Sequence, residues 1–172
     1  MPIQKPAVGE YSPFYQGYLD RVAGEPRLLP VLARQVAAFE GLGMLDESRA
    51  RFRYEDGKWS VREVVGHMAD AERIFAYRML RIARGDETPL AGFDENAFVA
   101  AAAFDRRTMP EVAGELRDVR HATLSLVRSV TDETAAREGV ANGVRVTARA
   151  IAWIIAGHTE HHLTILRERY QV

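Results

Sequence analysis

The spacing of apolar residues along the chain predicts four long amphipathic helices and no β-strand. In the first helix, over 28–42, Leu28, Leu32 and Phe39 recur at intervals that place them on one helical face. The other three long helices show the same periodicity, at 60–84, 108–130 and 147–170. Two shorter segments are also predicted to be helical, at 10–23 and 94–103.

Capping signals mark where the second and third long helices begin. Ser60 and Glu63 have the spacing of a capping box, in which each side chain accepts a hydrogen bond from the other residue's backbone N–H. Thr108 and Glu111 repeat that spacing, and Pro110 stands in the first turn, where its missing N–H costs nothing.

The segment 85–107 connects the second long helix to the third and is long for a connection within a bundle. It contains the predicted helix at 94–103, for which Asp94 is the expected N-cap. Long connections in compact domains are often functional, so this one is expected to cover a site. The predicted fold is all-α: a four-helix bundle with a long crossover loop between the second and third long helices, formed as a single domain over 1–172.

The composition is that of an ordinary globular protein, with 47% apolar and 27% charged residues. The net charge of −1 and the absence of a basic tract predict no nucleic-acid partner. The most apolar window, 148–156, is far shorter than the roughly 20 residues of a membrane span, so no membrane partner is expected. The first nine residues lack the apolar run of a signal peptide, which favours a cytoplasmic location.

The chain contains no cysteine. This excludes disulfide bonds, thiolate metal ligands and a cysteine nucleophile. Any thiol that takes part in a reaction must therefore come from another molecule.

Three histidines fall within the apolar faces of predicted helices. His158 and His162 lie in the middle of the stripe of the fourth helix, four residues apart, so their side chains stand one turn apart on the same face. His67 lies at the flank of the stripe of the second helix. His161 lies at the margin of its stripe, and His121 points away from the apolar face and is expected at the surface.

Imidazoles from two helices can converge in the core, where they need partners. An unsatisfied buried nitrogen costs roughly 1–3 kcal/mol, and protonated neighbours would repel each other in a low dielectric. A divalent metal ion removes both costs by accepting three neutral nitrogens, and it keeps positions open for water or substrate. Two alternatives stay open here: hydrogen-bonded core histidines without a metal, and a pairing of His158 with His161.

Two of these histidines directly follow glycine, at Gly66 and Gly157. Glycine within a helix costs about 1 kcal/mol relative to alanine. Either space is needed next to the histidines, or neighbouring chain packs closely there.

Two segments resemble motifs of the DinB/YfiT-like superfamily. Residues 58–70, KWSVREVVGHMAD, are similar to its second-helix motif, and residues 157–162, GHTEHH, to its fourth-helix motif. The similarity extends to 92–96 and 166–170 and so spans most of the chain. The resemblance implies a four-helix bundle, often dimeric, that holds a divalent metal ion, with nickel or zinc expected. The implied ligands are His67, His158 and His162.

The resemblance defines the expected fold more closely than it defines the expected activity. Relatives include transferases that use low-molecular-weight thiols such as bacillithiol or mycothiol, and fold and metal do not determine substrate. We predict a metal-binding protein that acts as a thiol S-transferase or hydrolase, with a low-molecular-weight thiol and a small electrophile as partners, and a homodimer. The alternative is a non-enzymatic, metal-stabilised binding or stress-response protein. No side chain is assigned a catalytic role.

Three acidic or amide residues have more than one interpretation each. Glu72 falls on the inward stripe of the second helix, where it would support a ligating imidazole, accept a proton from bound water, or pair with an arginine of another helix. The ion pair is the favoured interpretation. Glu95 and Asn96 begin the short helix of the crossover, and whether they belong to a lid stays open.

The two tryptophans and Asp70 complete the set of candidates. Trp59 is expected to staple the start of the second helix rather than to line a pocket. Asp70 is expected to face solvent. Trp153 faces away from the apolar stripe of the fourth helix and is expected to mark a dimer surface.

Overall fold

The computed structural model describes residues 3–172, and most of them are helical. In chain order the elements are α1 (Gln16–Asp20), α2 (Leu28–Gly43), α3 (Glu47–Arg51), α4 (Val61–Ala83), α5 (Glu95–Ala102), α6 (Met109–Arg128), α7 (Asp132–Ala135), β1 (Glu138–Ala141), β2 (Val144–Thr147) and α8 (Ala148–Arg169). Single 3-10 turns lie at Pro13–Tyr15 and Phe104–Arg106.

The predicted four-helix bundle is confirmed, and α2, α4, α6 and α8 are its long helices. Each begins and ends within two residues of its predicted bounds. The predicted helical segment at 10–23 contains a 3-10 turn and the short α1 instead of one continuous helix. The single domain over 1–172 stays a prediction, and its first two residues lie outside the described range.

The long helices pack around a square in which α2 lies diagonally opposite α4, and α6 lies diagonally opposite α8. Helix α2 packs against α6 and α8, and α4 packs against the same two helices, so α2 and α4 lie diagonally across the bundle. The crossover between α4 and α6 joins two neighbouring helices and runs along α4, against which α5 packs.

A buried polar layer divides the core of the bundle into two apolar clusters. One cluster contains Leu32, Phe75 and Ile155, and the other contains Phe39, Leu116 and Leu166. Between them lie buried polar side chains contributed by all four long helices, namely Gln35, His67, Glu72, Arg120, His158, Thr159 and His162. An apolar core interrupted at one level is where functional chemistry is expected, because burying polar groups costs free energy unless they are paired.

Both predicted capping boxes are present. The Ser60 hydroxyl accepts from the Glu63 backbone N–H at 3.1 Å, and the Glu63 carboxylate accepts from the Ser60 backbone N–H at 2.7 Å. Thr108 and Glu111 form the same pair of bonds at the start of α6. These boxes hold α4 and α6 at fixed starting points, which sets the height of the side chains that follow.

The prediction of no strand was wrong. Strands β1 and β2 form an antiparallel hairpin with Ala141 opposite Val144, and the turn residues Asn142 and Gly143 have φ of +52° and +75°. Two positive φ angles in an Asn-Gly pair are the signature of a type I′ turn, which matches the twist of a hairpin. The strands of four residues each are too short for an alternation pattern to stand out.

The hairpin also anchors the crossover. The Leu90 backbone N–H donates to the Val140 carbonyl, and the Leu90 carbonyl accepts from the Asn142 N–H, both at 2.9 Å. A segment that appears unsupported in the sequence is therefore tied to the start of α8 through β-type hydrogen bonds.

The prediction for Trp153 was also wrong. Its side chain is 1% exposed, and its indole N–H donates to the Gln4 carbonyl at 2.9 Å. The N-terminal segment covers this side of α8, so the helix is buried more broadly than its stripe indicates. Trp153 marks no dimer surface.

Within the described part of the chain, no helix combines the length and the apolar character needed to cross a bilayer.

Candidate metal centre

The structure brings together the three histidines singled out in the sequence. His67 comes from α4, seven residues after the capping Ser60, and His158 and His162 come from successive turns of α8. All three side chains are buried, with exposed fractions of 8% or less. Because α4 and α8 are neighbours, one histidine on the first faces two on the second.

The imidazole nitrogens converge on one point. The Nε2 atom of His158 lies 3.3 Å from Nε2 of His67 and 3.1 Å from Nε2 of His162. One ligand atom from each of the three residues lies within 4.8 Å of the other two. Such a group could hold a single metal ion.

Hydrogen bonds among the rings cannot satisfy this arrangement. A neutral imidazole nitrogen has either one N–H or one lone pair in the ring plane, and therefore one hydrogen-bond position. Nε2 of His158 faces two other nitrogens, so one of the two contacts stays unpaired whichever tautomer is present. A cation between the three nitrogens would use all three lone pairs, which is why this donor set fits a divalent metal.

The electrostatic surroundings keep the rings neutral. Burial lowers the pKa of His67 to about 4, with a smaller contribution from His161. Burial, followed by repulsion from neighbouring histidines, also holds the pKa values of His158 and His162 well below the ordinary 6.5. Neutral imidazoles are the form that binds metals, so the site is competent at neutral pH without losing a proton.

Aromatic rings enclose the triad. The Trp59 ring lies 4.8 Å from the His67 ring, and the rings of Tyr18 and Phe75 meet His158 edge-on at 5.4 and 5.6 Å. Trp59 therefore lies at the site, whereas a helix staple was the favoured interpretation. Apolar walls lower the local dielectric and strengthen any charge interaction at the three nitrogens.

His161 is a neighbour of the triad. Its ring lies 5.2 Å from Tyr18 and 4.9 Å from His162, and it is half-exposed. The nitrogens that converge are those of His158 and His162, so the pairing of His158 with His161 is not the observed arrangement.

The two glycines before the histidines are explained by close packing. A methyl group at Gly66 would overlap the ring of Phe104, which belongs to the crossover, and a methyl group at Gly157 would overlap the backbone carbonyl of Tyr18. The glycines thus allow Phe104 and Tyr18 to approach the two ligand-bearing helices. Through Phe104, the crossover packs on α4 at the residue that precedes His67.

Glu72 forms the core ion pair that was the favoured interpretation. Both of its carboxylate oxygens accept from Arg120 on α6, at 2.7 Å each. The remaining Arg120 donors reach the carbonyl of Leu32 at 3.1 Å, the side-chain oxygen of Gln35 at 2.5 Å and the hydroxyl of Thr159 at 2.8 Å. With each carboxylate oxygen bonded to the guanidinium, Glu72 serves as the counter-charge of Arg120.

The other candidates are not part of the converging group of ligand atoms. Asp94 caps α5, where its carboxylate accepts from two backbone N–H groups, as predicted. Glu95, Asn96 and His121 are exposed. Asp70 faces outward as expected, but it is only partly exposed and pairs with Arg73. Burial raises the pKa of its carboxyl.

Sequence reasoning missed Tyr18, Phe75, Gln35 and Arg120. Phe75 is one of the buried apolar residues of α4, and its edge contact with a histidine depends on side-chain geometry that periodicity does not contain. Arg120 falls in register with the buried positions Leu116 and Thr123, so a charged residue inside that stripe was a readable signal for the buried ion pair.

The fold and the site define a helical-bundle protein of a known family: the chain belongs to the DinB superfamily, whose family model matches residues 31–166. A Bacillus licheniformis protein with the provisional name metal-dependent hydrolase is 29% identical over 155 residues, covering 87% of this chain and 83% of its own. An Oceanobacillus iheyensis protein with the same kind of provisional name is 28% identical over 132 residues, covering 74% of each chain.

A solved structure shows the same fold. YfiT from Bacillus subtilis, described as a probable metal-dependent hydrolase with an unusual four-helix bundle topology, superposes with a TM-score of 0.71. The match covers 98% of this chain and 93% of YfiT at 20% sequence identity. The resemblance to DinB/YfiT-like proteins is thereby confirmed at the level of family and fold.

Proposed function

We propose that this protein binds one divalent metal ion through His67, His158 and His162 and uses it to catalyse hydrolysis. The observation that carries the proposal is that three neutral, buried Nε2 atoms converge on one point. Hydrogen bonds among the three rings cannot pair all of these nitrogens. Three protein ligands leave coordination positions open, which is the pattern of catalytic sites. A bound cation would lower the pKa of a water or thiol and so supply a nucleophile near neutral pH.

Hydrolysis is supported by the provisional names of the two relatives, each of which is called a metal-dependent hydrolase. The residues of this chain would contribute positioning and exclusion of bulk water. His158 and His162 are fixed by the rigid α8, and the rings of Trp59, Tyr18 and Phe75 form an apolar wall against which a substrate would pack. Nickel or zinc is the metal ion that the family resemblance implies, and imidazole ligands suit both.

Thiol S-transfer is the second candidate, and one observation favours it. Water is a poor nucleophile without a general base, and Glu72, the inward carboxylate of α4, is held by Arg120. A thiol loses its proton far more readily than water and needs no such base. Since the chain has no cysteine, that thiol would be a low-molecular-weight molecule, with a small electrophile as its partner.

Metal binding is tested by calorimetric titration of Zn²⁺ and Ni²⁺ into chelator-treated protein. We expect one ion per chain, and we expect His158→Ala to weaken binding at least 100-fold. His121→Ala is the matched control, because His121 is exposed, and it should bind as the parent does. His161→Ala should also retain one ion per chain.

Catalysis is then tested on the metal-loaded protein. One arm supplies activated esters and amides in water, and the other supplies a low-molecular-weight thiol with small electrophiles. Turnover in the first arm that is lost in His158→Ala supports hydrolysis, and thiol-dependent turnover supports S-transfer. Metal binding without turnover in either arm would support the alternative, a non-enzymatic metal-stabilised protein. A parent chain that binds no ion would contradict the proposed site.

Two further properties stay predictions. A homodimer is expected from the resemblance to the family, and sedimentation of the full chain measures it. A cytoplasmic location is expected from the sequence, and fractionation of cells that express the chain measures it.

A further inference from the structure

Three arginines of the described chain are almost fully buried, and they are not equivalent. Arg62, Arg78 and Arg120 are 1%, 4% and 0% exposed. Arg120 is paired with Glu72, and Arg62 is paired with Glu47 at 2.5 Å. No carboxylate from residues 3–172 forms an ion pair with Arg78.

Arg78 makes two contacts in place of an ion pair. One of its terminal nitrogens donates to the carbonyl of Ala91 at 2.6 Å, and its guanidinium carbon lies 5.9 Å from the centre of the Phe93 ring. Burial lowers the pKa of the guanidinium, and the Tyr15 side chain is the group that counteracts this. A buried charge without a counter-charge is costly, because neither the carbonyl nor the ring replaces the lost hydration.

A cavity of about 410 Å³ opens beside Arg78, between α4 and the crossover segment. Its lining is mostly apolar and includes Ile74, Tyr77, Leu90, Phe93 and Phe98. This volume is within the range of sites that bind small organic molecules. The second arginine that lines the cavity, Arg81, is already paired with Asp86 and bonded to the Tyr77 hydroxyl. Arg78 is therefore the arginine of this lining whose charge no carboxylate of residues 3–172 neutralises by an ion pair.

We propose that this cavity binds a small organic monocarboxylate with a flat apolar body. The carboxylate pairs with the guanidinium of Arg78, whose fork matches two carboxylate oxygens. The apolar body packs between Ile74, Phe93 and Phe98. A phosphate dianion fits less well, because one available cation and apolar walls do not compensate two negative charges.

This site is separate from the histidine triad. Arg78 lies eleven residues after His67 on the same helix, which corresponds to roughly 16 Å along the helix axis at 1.5 Å per residue. A ligand that fills the cavity does not reach the triad with its carboxylate on Arg78, so binding there does not depend on a metal.

The experiment is a calorimetric titration of phenylacetate into the full-length protein, in parallel with its neutral isostere phenylacetamide. The parent should bind phenylacetate saturably and the amide at least 10-fold more weakly. Arg78→Met keeps the apolar stem and removes the charge, and it should weaken phenylacetate binding at least 10-fold. Arg81→Met is the matched control from the same cavity and should change the affinity less than twofold.

A second variant covers the case in which Arg78→Met does not fold. Phe98 is 44% exposed, so replacing it is compatible with folding. Phe98→Glu would place a carboxylate beside Arg78 and should block phenylacetate, whereas Phe98→Gln should reduce binding less. The proposal is overturned by any of four results: no saturable binding by the parent, equal binding of the amide, unchanged binding in Arg78→Met or Phe98→Glu, or displacement of phenylacetate by equimolar inorganic phosphate.

Discussion

The buried polar layer of this bundle contains two clusters that treat their polar atoms in opposite ways. In the Arg120 cluster, all five N–H groups of the guanidinium have acceptors, drawn from α2, α4 and α8. In the histidine cluster, three nitrogens face one another with too few hydrogen-bond positions to pair. The N–H groups of Arg120 find all their partners within the protein, and we call this the closed cluster. The three nitrogens of the histidine cluster need a ligand to be satisfied, and we call this the open cluster.

The two clusters are adjacent and mechanically linked. Thr159, which accepts from Arg120, follows His158 directly, and Gln35, which also accepts from Arg120, donates to the carbonyl of Ala156 at 2.9 Å. Glu72 lies five residues after His67 on α4. The closed cluster thus holds in place α4 and α8, the two helices that carry the open cluster. Both clusters are buried, and burial alone therefore does not identify the functional one. What distinguishes the clusters is whether their polar atoms are satisfied.

Breaking the closed cluster should have the largest effect on stability. Glu72→Ala leaves the buried Arg120 charge without its partner, and we expect the free energy of unfolding to fall by about 3–5 kcal/mol. Urea denaturation measures it. The double variant Glu72→Met with Arg120→Met removes both charges and should recover most of the loss. A double variant as unstable as Glu72→Ala would show that the pair contributes more than mutual neutralisation.

The second-largest effect on stability should come from disturbing the packing around the open cluster. Gly157→Ala places a methyl group against the backbone carbonyl of Tyr18, which cannot move aside as a flexible side chain would. We expect a loss of about 1–3 kcal/mol by urea denaturation. Gly114→Ala in α6 is the control, because nothing lies within 4 Å of the added methyl group, and it should be neutral or stabilising by up to about 1 kcal/mol. Equal effects in the two variants would contradict the close approach.

The open cluster should also make the metal-free protein sensitive to acid. Burial lowers the pKa of His67 to about 4, whereas an unfolded histidine titrates near 6.5. Between these pH values the unfolded chain takes up a proton that the folded chain does not, so the free energy of unfolding falls as pH falls.

The expected slope is about 1.4 kcal/mol per pH unit for each such histidine, and it disappears above roughly pH 7. Urea denaturation at pH 7, 6 and 5 measures it. His67→Gln should reduce the slope by the contribution of one histidine, about 1.4 kcal/mol per pH unit. An unchanged slope in that variant would mean that His67 is not held neutral by the fold.

The smallest effect should come from removing one acceptor of the closed cluster. Thr159→Val removes the hydroxyl that accepts from Arg120, while Glu72 still binds the same nitrogen. We expect a loss of about 1 kcal/mol. Thr164 lies on the same helix, and its hydroxyl bonds only within that helix, to the Glu160 carbonyl and the Arg167 guanidinium. Thr164→Val should therefore lie within about 0.5 kcal/mol of the parent. A larger loss at Thr164 than at Thr159 would contradict the ranking.

The sequence predicts those parts of the fold that depend on local interactions. Both capping boxes, the long helices and the shared face of His158 and His162 follow from spacing, and each is observed. The hairpin was missed because its strands are short, although Asn142-Gly143 is a strong hairpin signal. Trp153 was misplaced because the N-terminal segment covers α8, and periodicity carries no information on which segments lie over a helix.

The candidate site was predictable in its three imidazoles but not in its surroundings. His67, His158 and His162 stand out because polar residues on apolar stripes need partners, and the family resemblance identified the set. Contacts between distant parts of the chain bring the rings of Tyr18 and Phe75 to His158. Such contacts also give Arg120 its five hydrogen bonds. Those contacts depend on how helices pack, which no single helix pattern contains.

The central claim is that Nε2 atoms of His67, His158 and His162 bind one cation, and anomalous diffraction tests it most directly. Crystals grown with Zn²⁺ or Ni²⁺ and measured at the absorption edge of that metal should show one strong peak per chain, at about 2.0–2.1 Å from all three atoms. A peak elsewhere, or no peak at the triad in fully loaded protein, would contradict the account.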